Sequence, residues 1–166
     1  MNRNLIISLI FIVNLGLDQW TKMLAREHLT SQSFSYWADT VRLGLAENSG
    51  AFLSLGSDLS DTARFYIFTV GIGALMLVGL FFLFRKKDMG QLNTIAYSLV
   101  LSGGIGNLID RGMKSTVTDF LNVGIGPIRT GVFNVADMAI MLSVGILFYV
   151  SFKEGSSSET QGKKQK

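Results

Sequence analysis

Apolar residues fall into four blocks, at 5–17, 65–84, 92–109 and 132–152, separated by polar stretches of unequal length. A helix rises 1.5 Å per residue, so about 20 apolar residues cross ~30 Å of hydrocarbon. With their flanks, the blocks predict four membrane-spanning helices at about 4–25, 63–84, 91–111 and 132–152. Between the first two lies a long segment, 27–63, where the period changes. Ser33-Phe34-Ser35-Tyr36-Trp37 and Val41-Arg42-Leu43 alternate polar and apolar residues, which predicts short strands. An isolated hairpin is marginal in water, so this element should lean on the helices or the bilayer. Phe34, Tyr36 and Trp37 suit an interfacial position. Asn48-Ser49-Gly50-Ala51-Phe52 then marks a turn. Gly71, Gly73 and Gly79 on the second helix, and Ser102-Gly103-Gly104-Ile105-Gly106 on the third, permit close helix packing.

Composition supports a membrane protein: 48% of residues are hydrophobic, only 16% charged, and a single proline leaves the helices uninterrupted. The net charge of +3 is concentrated. Arg85-Lys86-Lys87 lies between the second and third blocks, and Lys163, Lys164 and Lys166 lie near the end. The positive-inside rule therefore puts both termini in the cytoplasm and the segments 27–63 and 112–131 outside. That distribution argues against nucleic acid as a partner. Residues 1–152 form one four-helix membrane domain, and 153–166, rich in Ser, Gly and Lys, is expected to be a disordered cytoplasmic tail. The opening run resembles a secretion signal, but Asp18, Gln19, Trp20 and Lys22 follow it in place of a small-residue cleavage site, so a retained helix is expected.

The absence of cysteine excludes disulfides, thiolate nucleophiles and cysteine metal sites. With His28 the only histidine, a Ser-His-Asp triad or a multi-histidine metal site is disfavoured, and neither a metal nor a cofactor is expected. Carboxylates, Lys, Arg and hydroxyls must then carry any chemistry. The unusual polar groups gather at the outer membrane face. Asp18 and Lys22 are four apart and share a face; spacing alone favours an interfacial ion pair of small energetic worth over the sharper reading, in which this polar face turns inward and supports a site. Asn107, Asp110 and Arg111 share one side of the third helix end, and alone would read as a solvated terminus. Asn134 and Asp137 could form a variant capping box. Length counts against it, because a helix beginning after Asp137 and ending at 152 has 15 residues. That is roughly 22 Å, too short to span. Asp137 is therefore expected about five residues, or ~8 Å, inside its helix, where an ionisable group is costly and points to function. Asp119, in Thr118-Asp119-Phe120, is expected on a polar loop able to close.

Two carboxylates in a low-dielectric site cannot both ionise easily. Sharing one proton, they can act as base and acid at one pH, drawing a proton from water and protonating a carbonyl oxygen or a leaving nitrogen. Asp119 and Asp137 suit this role, with Asn and Arg side chains to hold a peptide backbone. Two other readings stand beside it. One is a membrane scaffold whose Asn and Asp residues only join helices. The other is a small proton-coupled carrier, although the middle and inner thirds of the spans carry no Asp, Glu, Lys or Arg.

Five motifs occur in order along the chain: Asp18-Gln19-Trp20-Thr21-Lys22, Asn48-Ser49-Gly50-Ala51, Gly106-Asn107-Leu108-Ile109-Asp110-Arg111, Val117-Thr118-Asp119-Phe120 and Phe133-Asn134-Val135-Ala136-Asp137. Together they resemble the bacterial lipoprotein signal peptidase, signal peptidase II, over about residues 4–152. The resemblance implies an aspartic endopeptidase of the cytoplasmic (inner) membrane, probing its substrate from the extracytoplasmic side. It would cut a prolipoprotein before a cysteine carrying diacylglycerol, with membrane lipid and the prolipoprotein as partners and a monomer as the working form. It implies Asp119 and Asp137 as the catalytic pair. Asn48, Asn107, Arg111 and Asn134 would line the site or hold substrate, and Asp18, Lys22, Gly50 and Asp110 would support it. The stretch around 34–45 resembles the family's small substrate-cradling β-element. Two positions depart from the family pattern: Phe52 directly follows Ala51, and Ser102-Gly103-Gly104 stands where Gly-Gly-Ala is common.

Overall fold

The computed structural model describes residues 2–50, 55–56 and 58–163. Ala51 and Phe52, part of the expected turn, lie outside the described residues. Four helices match the four apolar blocks: α1 (Arg3–His28), α2 (Asp61–Arg85), α3 (Gln91–Lys114) and α4 (Val135–Lys163). All four are long and apolar enough to span a bilayer. Each runs past its expected C-terminal limit, while α4 starts three residues later than the expected 132. Apolarity marks the hydrocarbon zone, whereas a helix continues into polar flanks wherever nothing breaks it. On α4 the helix passes 152, where the tail was expected to begin, and reaches Lys163. The helix starts are conventional: Asn2 and Ser60 side chains accept backbone N–H groups at the heads of α1 and α2. Within α2, residues Phe65–Gly71 form a π-helical stretch.

Helix α3 is the hub, with half of its apolar window buried inside the protein against 6% for α2. Its buried face repeats every four residues through Thr94, Ser98, Ser102, Gly106 and Asp110. A methyl at Gly103 would stand 2.6 Å from the Ala136 carbonyl oxygen, so α3 and α4 approach as closely as backbones allow. The apolar core, Ile7, Leu83 and Leu101, lies toward the other end of the bundle. There the Arg3 guanidinium donates to the Leu83 carbonyl at the end of α2.

Outside the bundle lies a four-stranded antiparallel sheet of β1 (Phe34–Tyr36), β2 (Val41–Asn48), β3 (Val117–Ile125) and β4 (Ile128–Arg129), in that order. The first two strands are those expected. The second pair corrects the expected loop at 112–131: Thr118-Asp119-Phe120 is strand, with Asp119 opposite Ala46 and Asn48 opposite Val117. Pairing of β3 with β2 satisfies backbone groups that a loop would have left to water. Trp37, Ala38 and Asp39 at the β1–β2 turn all have positive φ. Ser35, Arg42 and Arg129 bind the Asp39 carboxylate and hold that turn. The Arg42 and Ser35 hydrogen bonds hold Asp39 well below the usual carboxylate range.

Candidate active site

The site forms where the C-terminal halves of α1 and α3, the start of β3 and the head of α4 meet. Its base is an ion cluster. Asp18 and Lys22, expected at the interface, are instead completely buried. The Lys22 ammonium lies 2.9 Å from Asp18 Oδ2, 3.2 Å from Asp110 Oδ2 and 2.9 Å from Asn107 Oδ1. Asp110 and Arg111 are likewise buried rather than solvated. β3 covers them, and the Thr118 N–H donates to Asp110 Oδ2 at 3.0 Å. The opposite oxygen of Asp18 accepts the Ala136 N–H at 3.0 Å, which ties α1 to the first turn of α4. Three buried charges survive here because each carboxylate has an ammonium and a backbone donor as partners.

Asp137 requires a correction. Helix α4 begins at Val135, so Asp137 sits in its first turn and not five residues below the start. Asn134 and Asp137 form the reciprocal cap that helix length had argued against. Asn134 Oδ1 accepts the Asp137 N–H at 3.0 Å, and Asp137 Oδ2 accepts the Asn134 N–H at 3.2 Å. The helix extends beyond 152, so a cap at Asn134 still leaves a span of 20 residues over Val135–Glu154.

Asn134 also joins the two candidate carboxylates, since its Nδ2 donates to Asp119 Oδ1 at 2.6 Å. The other Asp119 oxygen accepts Asn48 Nδ2 at 3.1 Å, and Asp137 Oδ1 accepts Asn107 Nδ2 at 2.9 Å. Every carboxylate oxygen of this pair meets a neutral N–H and none meets a charged donor at hydrogen-bond distance. Burial pushes the Asp119 carboxyl up to about 6; the nearby Asp137 charge adds to this, against the amide donors of Asn48 and Asn134 and the more distant Lys22 charge. Asn48 also accepts the Gly50 N–H, and Arg111 donates to the Gly50 carbonyl at 2.7 Å, so Gly50 links the β2 end to α3.

Asp119 and Asp137 together border a slot of about 530 Å³, whose other walls are Thr130, Gly131, Val132, Phe133, Met138 and Met141. Met138 and Met141 lie half exposed on the outward face of α4, so the slot opens sideways toward the surroundings of the bundle. A smaller cavity of about 220 Å³ is lined by Arg111 itself together with Asp61, Arg64, Phe65, Phe68 and Ser115, among others. No cluster of three or more His, Cys, Asp or Glu residues suited to a metal occurs among the described residues.

The structure thus brings together every residue singled out by sequence: Asp18, Lys22, Asn48, Gly50, Asn107, Asp110, Arg111, Asp119, Asn134 and Asp137. It adds three. Arg26 lies 3.8 Å from Asp110 and donates to Thr118 Oγ1, and Asn14 Nδ2 donates to Ser102 Oγ at 2.8 Å deep in the bundle. Gln19 bridges Asp18 and the Gly106 carbonyl. Asn14 and Arg26 extend the Asp18–Lys22 spacing of four in each direction, so a polar stripe at 14, 18, 22 and 26 was the available signal.

Four apolar spans enclosing a carboxylate-and-amide site at one end define a polytopic membrane enzyme. The sequence model described as Signal peptidase (SPase) II matches residues 10–153, and the chain belongs to that family. It is therefore a membrane peptidase of the aspartic, signal peptidase II type. A relative from Brevibacillus brevis, named lipoprotein signal peptidase, is 36% identical over 152 residues, covering 90% of this chain and 97% of the relative. One from Borrelia duttonii with the same name is 35% identical over 161 residues, covering 92% of each. A solved bacterial membrane enzyme, 25% identical, superposes with a TM-score of 0.79 over 91% of this chain and 90% of its own. A second, 24% identical with a TM-score of 0.75, shares the fold.

Proposed function

We propose that Asp119 and Asp137 are the catalytic pair of an endopeptidase that removes the signal peptide from diacylglyceryl-modified prolipoproteins, cutting before the lipid-bearing cysteine. The observation that carries this reading is the shared slot: two carboxylates joined by Asn134 and donated to only by neutral N–H groups border one laterally open cavity. The ionised member takes a proton from a water held between them, and the resulting hydroxide attacks the scissile carbonyl carbon. The protonated member gives its proton to the carbonyl oxygen as the tetrahedral intermediate forms. On collapse, the carboxyl that took the water proton gives it to the cysteine nitrogen as the C–N bond breaks, and a hydroxyl of the intermediate returns its proton to the other carboxylate, so the pair again shares one proton. Asn48 and Asn134 hold Asp119, Asn107 and the helix cap hold Asp137, and Arg111 orients the Gly50 carbonyl beside the substrate path.

The sideways opening supports a substrate that stays in the bilayer, with its signal helix and acyl chains in lipid and its scissile bond at the slot. Charge placement supports cytoplasmic termini, a site at the extracytoplasmic face and residence in the bacterial inner membrane. A scaffold would have no use for an open slot beside two carboxylates, and a carrier would need a charge in the middle of the spans. The test is cleavage of a prolipoprotein by the protein in proteoliposomes, with and without the diacylglyceryl group. The lipidated form should be cut just before the modified cysteine and the unlipidated form far more slowly. Equal rates for both forms would remove the lipid requirement, and no cleavage of either would remove the reading.

A further inference from the structure

Lys22 is the largest side chain with no solvent exposure, and the reaction above makes no use of its charge. Its three N–H donors meet three acceptors, on Asp18, Asp110 and Asn107. The third contact has a chemical consequence. An ammonium only donates, so Asn107 must turn its amide oxygen toward Lys22, and its Nδ2 is then directed away, to Asp137 Oδ1 at 2.9 Å. The same Asn107 oxygen accepts Asn134 Nδ2 at 3.1 Å, the group that also donates to Asp119 Oδ1. The Asn134 oxygen is occupied by the Asp137 N–H, which fixes the second amide the same way round.

Resting on the reading of Asp119 and Asp137 as the catalytic pair, we infer that Lys22 is a positioning residue whose ammonium sets the orientation of the Asn107 amide and, through it, presents an N–H to each catalytic carboxylate. Were Asn107 reversed, its oxygen would face the Asp137 carboxylate, two acceptors with no proton between them. The arrangement also keeps the cation one amide away from the pair. Direct contact would favour the charged form of a carboxylate that must exchange its proton; Asp18 and Asp110 take that contact instead.

The test is a double-mutant cycle read as kcat and KM on a lipidated prolipoprotein. Asp18→Asn with Lys22→Met removes one charge of each sign, and the amide oxygen placed at 18 can still accept the Ala136 N–H. This variant should lose about 100-fold in kcat, the scale of misplaced catalytic groups, with KM changed less than about twofold. Asn107→Ala should lose a similar factor, and combining the two should cost less than about threefold more, because Lys22 acts through Asn107. Losses that multiply, or a near-normal kcat without the ammonium, would overturn the inference. Asn107→Asp gives a reading even if the charge-removed variant fails to fold. It keeps a partner for Lys22 but has no N–H for Asp137, so kcat should fall as in Asn107→Ala, and wild-type turnover would overturn the proposal. Failure of the dyad itself is separable: Asp119→Asn or Asp137→Asn would then still cleave, whereas an additive cycle alongside two inactive Asn variants rejects only the role of Lys22.

Discussion

Four aspartates are clustered at the sheet-bearing end of this bundle, and they divide into two pairs with different partners. Asp18 and Asp110 contact the Lys22 ammonium directly and also accept the backbone N–H groups of Ala136 and Thr118. Asp119 and Asp137 receive only neutral donors, from Asn48, Asn107 and Asn134, and they alone of the four border the slot. Burial alone does not separate the pairs: Asp119 is as hidden as Asp110, while Asp137 is only half-buried. What separates them is whether a fixed cation occupies the carboxylate and whether open space adjoins it. The first pair locks α1, α3, α4 and β3 together, and the second adjoins open space.

This contrast can be broken by substitution. The largest effect should fall on activity at the second pair. Asp119→Asn and Asp137→Asn should each reduce cleavage of a lipidated prolipoprotein by about 10³-fold or more, within or beyond the range of general acid–base losses, while the protein still inserts. Near-normal cleavage by either variant would dissolve the distinction. At the first pair the loss should be in stability. Asp110→Ala takes a partner from buried Lys22 and from the Thr118 N–H, and should cost about 3–5 kcal/mol, read by unfolding in detergent micelles. A stability like wild type would show that the cluster is not the structural pair.

Packing beneath the pairs gives a smaller effect. Gly103→Ala sets a methyl 2.6 Å from the Ala136 carbonyl oxygen, one residue from Asp137. The obstacle is backbone, so the helices must part by roughly half an ångström or more, at a cost of about 1–3 kcal/mol, with activity falling alongside the unfolding temperature. The smallest effect depends on pH. Burial raises Asp119 to about 6, from an unfolded value near 3.8. The folded protein thus binds this proton more tightly than the unfolded chain, and the resulting stability is full below about pH 4 and lost as pH rises through 6. Asp119→Asn stays neutral throughout. It should unfold at a higher temperature than wild type at pH 8, with the gap closing by pH 4; a gap that widens on acidification would reverse the sign.

Much of this was legible in the sequence, for physical reasons that differ between elements. Membrane-length apolar blocks are long, strongly biased segments, so the four helices and the grouping of polar residues at one end followed directly. Asp119 was harder. Val117, Asp119, Leu121 and Val123 alternate as a strand should, but Thr118, Asp119 and Asn122 make the stretch polar enough to resemble a loop, and only pairing with β2, over seventy residues away, makes it a strand. The apolar run alone puts Asp137 too deep, because the helix does not end where the apolar residues do but continues into polar sequence. Asp18 and Lys22 show a further limit. Spacing reveals that two groups share a face, but whether that face meets water or Asp110 depends on where α3 packs, and no local pattern specifies this.

The central claim is that the two aspartates direct a water onto the peptide carbonyl with no covalent enzyme intermediate. Single-turnover cleavage of a lipidated prolipoprotein in ¹⁸O-water, with hydroxylamine present, tests it most directly. The account predicts one heavy oxygen in the new carboxylate of the released signal peptide, no hydroxamate, and no product when either aspartate is replaced by asparagine. A signal-peptide hydroxamate, formed by trapping an acyl-enzyme, would contradict it.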